Sequence, residues 1–158
     1  MPAVDPTLLE SVWGSEALAE GGEAPSDADF AAVESATGYG LPESYKAFMR
    51  LHNGGYPLRS DYNPNEEEDP SSQVETFLSV DSLVEETEFY GEEWGYPAIG
   101  LVIAECPSGG HDLFMLHYPA GSTTEPSVIH VDQELDYRCT TVGETFAEFL
   151  AGLREAQE

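Results

Sequence analysis

"LPESYKAFMRLHNGG", residues Leu41 to Gly55, reads as a short amphipathic helix closed off at both ends. Pro42 suits a first helical position, where its missing N–H is not needed and its fixed φ is already helical. Tyr45, Phe48, Met49 and His52 recur at i, i+3, i+4 and i+7, which places them on one face. Asn53, Gly54 and Gly55 tolerate the positive φ needed where a helix stops and the chain turns away. Local physics gives a core helix followed by a turn.

Working outward, "SDADFAAVESATGYG" predicts a preceding helix with Ser26 as N-cap. Asp29 completes a capping-box pair in place of the usual Glu, Phe30 and Val33 face inward, and Gly38 is the stop. The two helices follow so closely that they predict a hairpin. Farther upstream, "DPTLLESVW" predicts a first helix with Asp5 as cap, Pro6 at its start and Leu8, Leu9, Val12 and Trp13 inward. "GSEALAEGGEAP" reads as a frayed end or linker.

Downstream, "YPLRSDYNPNEEEDPSSQ" reads as an exposed loop. "VETFLSV" predicts a strand and "DSLVEETEFYGEEW" a helix capped by Asp81. "PAIGLVIAE", "HDLFMLHY" and "SVIHVD" are β-rich runs divided by the breakers "CPSGGH" and "PAGSTTEP", an antiparallel meander. In "TVGETFAEFLAGLREA", Phe146, Phe149, Leu150 and Leu153 share the face of a last helix. The expected class is α+β: one domain with a mostly antiparallel or mixed central sheet, flanked by N-terminal helices and a C-terminal helix. Residues 1–25 read as an N-terminal helix and linker segment, and 26–158 as the domain proper.

A chain of 158 residues, 41% hydrophobic, favours one domain with ample core material. No apolar run approaches the ~20 residues that span a bilayer. "MPAVDPTLLESVW" lacks a basic region followed by an apolar core, so the expectation is a cytoplasmic protein. Cys106 and Cys139 are too few for a disulfide framework, and whether they pair is left open.

Charge is the unusual feature: 31 Asp and Glu against 5 Lys and Arg, a formal net of -26. Between Arg59 and Arg138 there is no Lys or Arg at all. Direct nucleic-acid binding is excluded by the want of clustered cations, and an anionic membrane surface is disfavoured for the same reason. Self-repulsion of this size costs stability, so something favours keeping it: a basic protein partner, or a surface adapted to high salt.

Catalytic and metal chemistry finds little support. Asp61, Asn63 and Asn65 alternate as in a calcium-binding loop, but Glu66 and Ser72 stand where its turn glycine and bidentate Glu belong. His52, His111, His117, His130 and the two cysteines show no pair at close ligand spacing on one element. There is no nucleophile elbow, no phosphate loop and no thiol-family signature around Cys106. The expectation is no enzyme, no cofactor and no metal.

"VESATGYGLPESYKAFMRLHNGG" resembles the hallmark of the SUKH superfamily, which includes yeast regulators of cell-wall synthesis and many bacterial immunity proteins. "VETFLSVDSLVEE", "YPAIGLVIAECPSGGHDLFMLHY", "EPSVIHVDQELDY" and "TFAEFLAGL" follow in the order of that superfamily's later elements, so the resemblance runs from Asp27 to Leu153. Relatives often carry Leu-Asp-Tyr where this chain has Leu116, His117 and Tyr118. The resemblance implies a non-enzymatic immunity protein that binds and neutralises a cognate toxin domain, basic-clefted such as a nuclease, as a monomer or weak homodimer. The alternative is an intracellular regulatory or scaffold protein whose acidity reflects a high-salt habitat. Between Asp61 and Trp94 the expected contact residues are Tyr62, Glu66, Glu67, Glu68, Asp69, Glu88, Tyr90, Glu92, Glu93 and Trp94. Carboxylates there steer a cationic partner and aromatics anchor it.

Overall fold

The computed structural model describes residues 5–20, 22–62, 73–119 and 125–155. Its first half holds α1 (Pro6–Trp13), α2 (Ser15–Glu20), α3 (Asp27–Thr37), α4 (Glu43–Leu51), β1 (Arg59–Asp61) and β2 (Thr76–Phe77). A 3-10 turn at Val80–Ser82 leads into α5 (Leu83–Trp94), then β3 (Gly100–Glu105), β4 (Asp112–His117) and β5 (Ser127–Asp132). A second 3-10 turn precedes β6 (Arg138–Gly143), α6 (Phe146–Ala151) and β7 (Arg154–Glu155).

The helix ends follow local chemistry. Asp5 accepts a hydrogen bond from the Thr7 amide at the start of α1, and Pro6 takes the first position. Ser26 and Asp29 close a full capping box on α3, which ends at Gly38 in the left-handed region. On α4, Tyr45, Phe48 and Met49 are fully buried, while His52 is half-buried at the C-cap. Pro42 is the N-cap of α4 rather than its first residue, a shift of one.

The Asn-Gly-Gly turn does more than stop α4. Gly55 exchanges both backbone hydrogen bonds with Phe77 of β2, at 2.8 and 2.9 Å, and the Asn53 carboxamide accepts from the Val80 amide at 2.9 Å. Gly54 has φ +86°, and a Cβ on it would lie 2.8 Å from the Ser79 nitrogen. Only glycine lets the two backbones approach so closely.

The main sheet is antiparallel throughout, in the order β2-β3-β4-β5-β6, and β1 pairs separately with β7. Ala104, Phe114 and His130 line up across β3, β4 and β5, so their side chains share one face. That face packs against α6 through Phe114 and Phe149, and against α1 and α4 through Phe77, Trp13 and Phe48. Glu105 and Leu113 point to the other face, where the Tyr90 hydroxyl of α5 donates to the Glu105 carboxylate. The class is α+β, as expected. Residues 5–20 contribute Leu9, Val12 and Trp13 to the same core as the rest.

Four local expectations are corrected. Within "GSEALAEGGEAP", read as a frayed end or linker, Ser15–Glu20 form α2 with Ala17 buried, while residues 22–25 carry no regular structure. Asp81 does not cap α5: it lies in the 3-10 turn, and Ser82 is the N-cap without a side-chain bond. The strand β6 escaped the sequence because four of its six residues are exposed, which leaves no apolar alternation. The last helix stops at Ala151, and the next residues turn into the edge pair with β1. Cys106 and Cys139 are unpaired, one buried and one exposed.

Candidate partner-binding surface

Helix α5 is fixed to the sheet along one stripe. Leu83 and Tyr90 are buried, Thr87 and Trp94 are half-buried, and these positions recur at near-helical spacing. The Thr87 hydroxyl accepts from the Val102 amide at 3.0 Å, serving a part of β3 that lies beyond the pairing of short β2. Gly95 ends the helix in the left-handed region, and the Tyr137 hydroxyl donates to the Trp94 carbonyl. Trp94 covers the β3–β4 loop, its ring 5.3 Å from that of His111.

The rest of α5 faces water. Glu85, Glu88, Glu92 and Glu93 are exposed, and so is Phe89, at 45%. Glu86 is half-buried; burial first, then the charges of Glu105 and Glu85, push its carboxyl up. Like charges one turn apart cost a helix a few tenths of a kcal/mol per pair, so this face is held against its own repulsion by the buried stripe. Beside it lies a groove of about 430 Å³ between α5, the end of α3 and the β3–β4 hairpin. Tyr39, Val84, Tyr96, Pro97 and Met115 line it, and Glu88 and Glu92 stand on its rim.

Among the described residues, the expected contacts do not form one patch. Glu88, Glu92 and Glu93 come together on the outer side of α5, but Trp94 lies in the stripe that faces the sheet, and Tyr90 is 5% exposed and turned inward. Burial, the Glu105 hydrogen bond and the charges around it hold the Tyr90 phenol well above its ordinary value. Tyr62 lies on the opposite face of the sheet, 6.1 Å from the Phe149 ring. Glu66, Glu67, Glu68 and Asp69 lie outside the described residues. Phe89 was missed, although the spacing of Leu83, Thr87 and Trp94 turns Tyr90 inward and Phe89 outward. A second depression of about 860 Å³ was also missed; Trp13, Glu16, Glu20, His52, Tyr56 and Leu58 are among its walls. Its signal was the pair Tyr56 and Leu58 directly after the glycines, 72% and 50% exposed.

The buried polar groups argue against an activated nucleophile at Cys106. Burial and the adjoining Asp112 carboxylate push its thiol far up, so it stays protonated. Burial also pushes Asp112 up, but hydrogen bonds from His130 and Ser108, the His130 charge and the Cys106 thiol outweigh it and hold the carboxyl low. Among the described residues, no helix is long and apolar enough to cross a membrane.

A family model described as SMI1-KNR4 cell-wall (SUKH_6) matches residues 27–150. The chain belongs to the SUKH family. No curated protein matches it. The match opens on the first residue of α3 and closes within α6, so α1 and α2 precede the matched part of this SUKH domain while sharing its core. The acidic helix and its groove lie within the match.

Proposed function

We propose that this SUKH domain is a non-enzymatic immunity protein, acting in the cytoplasm as a monomer or weak homodimer, that neutralises a basic toxin domain. The observation that carries the reading is the exposed acidic face of α5 beside an apolar groove. Glu85, Glu88, Glu92 and Glu93 supply the field that draws in a cationic cleft, and Phe89 with the groove supplies apolar contact once docked. Complementary fields raise association rates by roughly 10–10³, whereas buried aromatic contacts govern dissociation. A toxin with a phosphate-binding cleft, such as a nuclease, is the class of partner this chemistry fits.

A second reading has its own support. Exposed acids also cover surfaces away from the groove, among them Asp27, Glu43, Glu75, Glu144 and Glu155. That spread fits a regulatory or scaffold domain whose acidity serves a high-salt habitat.

An immunity protein has its toxin encoded in the neighbouring gene, and binding kinetics with a toxin domain found there separate the two. Reversing Glu88, Glu92 and Glu93 to Lys slows association by about tenfold or more at low salt and flattens its salt dependence. Phe89→Ala speeds dissociation instead. Both sets of residues are exposed, so stability stays within about 0.5 kcal/mol. If both variants bind like the parent at every ionic strength, α5 is not the interface and the habitat reading is preferred.

A further inference from the structure

We infer that Cys106, Asp112 and His130 form a binding site for one divalent cation of the zinc class. The three come from separate places in the chain: just past β3, the start of β4 and the middle of β5. Ala104, Phe114 and His130 share a face, and Cys106 and Asp112 stand two residues from Ala104 and Phe114 toward the hairpin end. Strand alternation therefore returns all of them to that face. The Cys106 sulfur, a carboxylate oxygen of Asp112 and a ring nitrogen of His130 lie within 4.8 Å of one another. Among the described residues this is the group of such side chains able to hold an ion.

A tetrahedral zinc ion, with bonds of about 2.0–2.3 Å, sets its ligand atoms roughly 3.3–3.6 Å apart. Closing on an ion thus needs movement of the ligand atoms by about 1 Å. The donor set also selects. A thiolate with an imidazole and a carboxylate suits zinc or cobalt, whereas magnesium and calcium want oxygen ligands alone. His130 Nε2 now faces Asp112 Oδ2 at 2.7 Å, and Ser108 donates to Oδ1 of the same carboxylate. Ser108 therefore orients the acid from the side away from the histidine, as an outer partner of a metal ligand does. The three residues are 1%, 3% and 9% exposed, which shields the site from bulk water. On binding, the Cys106 S–H bond breaks, its proton goes to solvent and the sulfur bonds the cation. His130 gives up the Nε2 proton that it now directs at Asp112, that proton also passes to solvent, Nε2 bonds the cation, and a fourth position is left for water or a partner group.

The 31 acidic residues of this chain will gather cations loosely, so the test must read the sulfur. The full reduced chain is titrated with cobalt(II) alone. The expected result is a near-ultraviolet thiolate-to-cobalt band with intense visible tetrahedral bands, saturating at one equivalent and bleached by zinc(II). Cys139→Ser and His117→Ala keep the band, Cys106→Ser removes it, and His130→Ala weakens cobalt binding by about tenfold or more. The Cys139→Ser chain, with Cys106 as its sole thiol, decides the matter even where Cys106→Ser fails to fold. No charge-transfer band in that chain, or one that saturates only after many equivalents, overturns the site. So does a band that survives in folded Cys106→Ser.

Discussion

Trp13→Ala tests whether α1 belongs to the core that the SUKH match leaves it outside. The Trp13 ring is 1% exposed and stacks on Phe48 at 4.4 Å with an 8° angle, with the Phe77 ring edge-on at 5.6 Å. Its indole N–H donates to the Phe48 carbonyl at 2.8 Å. That carbonyl lies in the last turn of α4, where carbonyls have no partner within the helix. Truncating a buried Trp costs about 3–5 kcal/mol, and the lost hydrogen bond adds about 1 kcal/mol. The expected total, about 4–6 kcal/mol, is a large share of the roughly 5–15 kcal/mol that holds a domain folded. With an m-value of about 2 kcal/mol/M, the urea midpoint falls by about 2–3 M. Trp13→Phe separates the parts: it keeps most of the packing, loses the N–H, and costs about 1–3 kcal/mol. If Trp13→Ala costs under about 1 kcal/mol at unchanged m-value, α1 is an appendage and the reasoning fails.

Two further outcomes follow from the backbone. Gly54→Ala combines positive φ with a Cβ 2.8 Å from the Ser79 nitrogen, and loses about 2–5 kcal/mol in urea unfolding. Gly38→Ala, equally left-handed but with nothing within 4 Å, loses only about 1–2 kcal/mol; equal losses would refute the close-approach argument. Ser26→Ala opens the capping box on α3 and costs about 1 kcal/mol, and a thermal midpoint equal to the parent's would show that cap to be idle.

What the sequence determined by itself is what chemistry decides within a few residues. Asp5 with Pro6, Ser26 with Asp29, and Gly38 each set a helix end through bonds to adjacent backbone, and the structure keeps all of them. The Tyr45, Phe48 and Met49 stripe and the apolar runs of β3, β4 and β5 were legible because burial on one face, or on two, imposes its own period. The ordered set of such pieces was enough to place the chain in its family.

Only the tertiary structure decided the rest, because the deciding partner lies far along the chain. The exposed residues of β6 become a strand through pairing with β5, and Arg154 and Glu155 through pairing with β1. The spacing of Leu83, Thr87 and Trp94 already turns Tyr90 inward and Phe89 out among the acids, but only the fold supplies Glu105 to receive the Tyr90 hydroxyl. Cys106 and His130 were read as candidates without ligand spacing between them, and Asp112 was not singled out at all. Strand register across β3, β4 and β5 brings them to one face, and no local pattern encodes register between strands joined by loops.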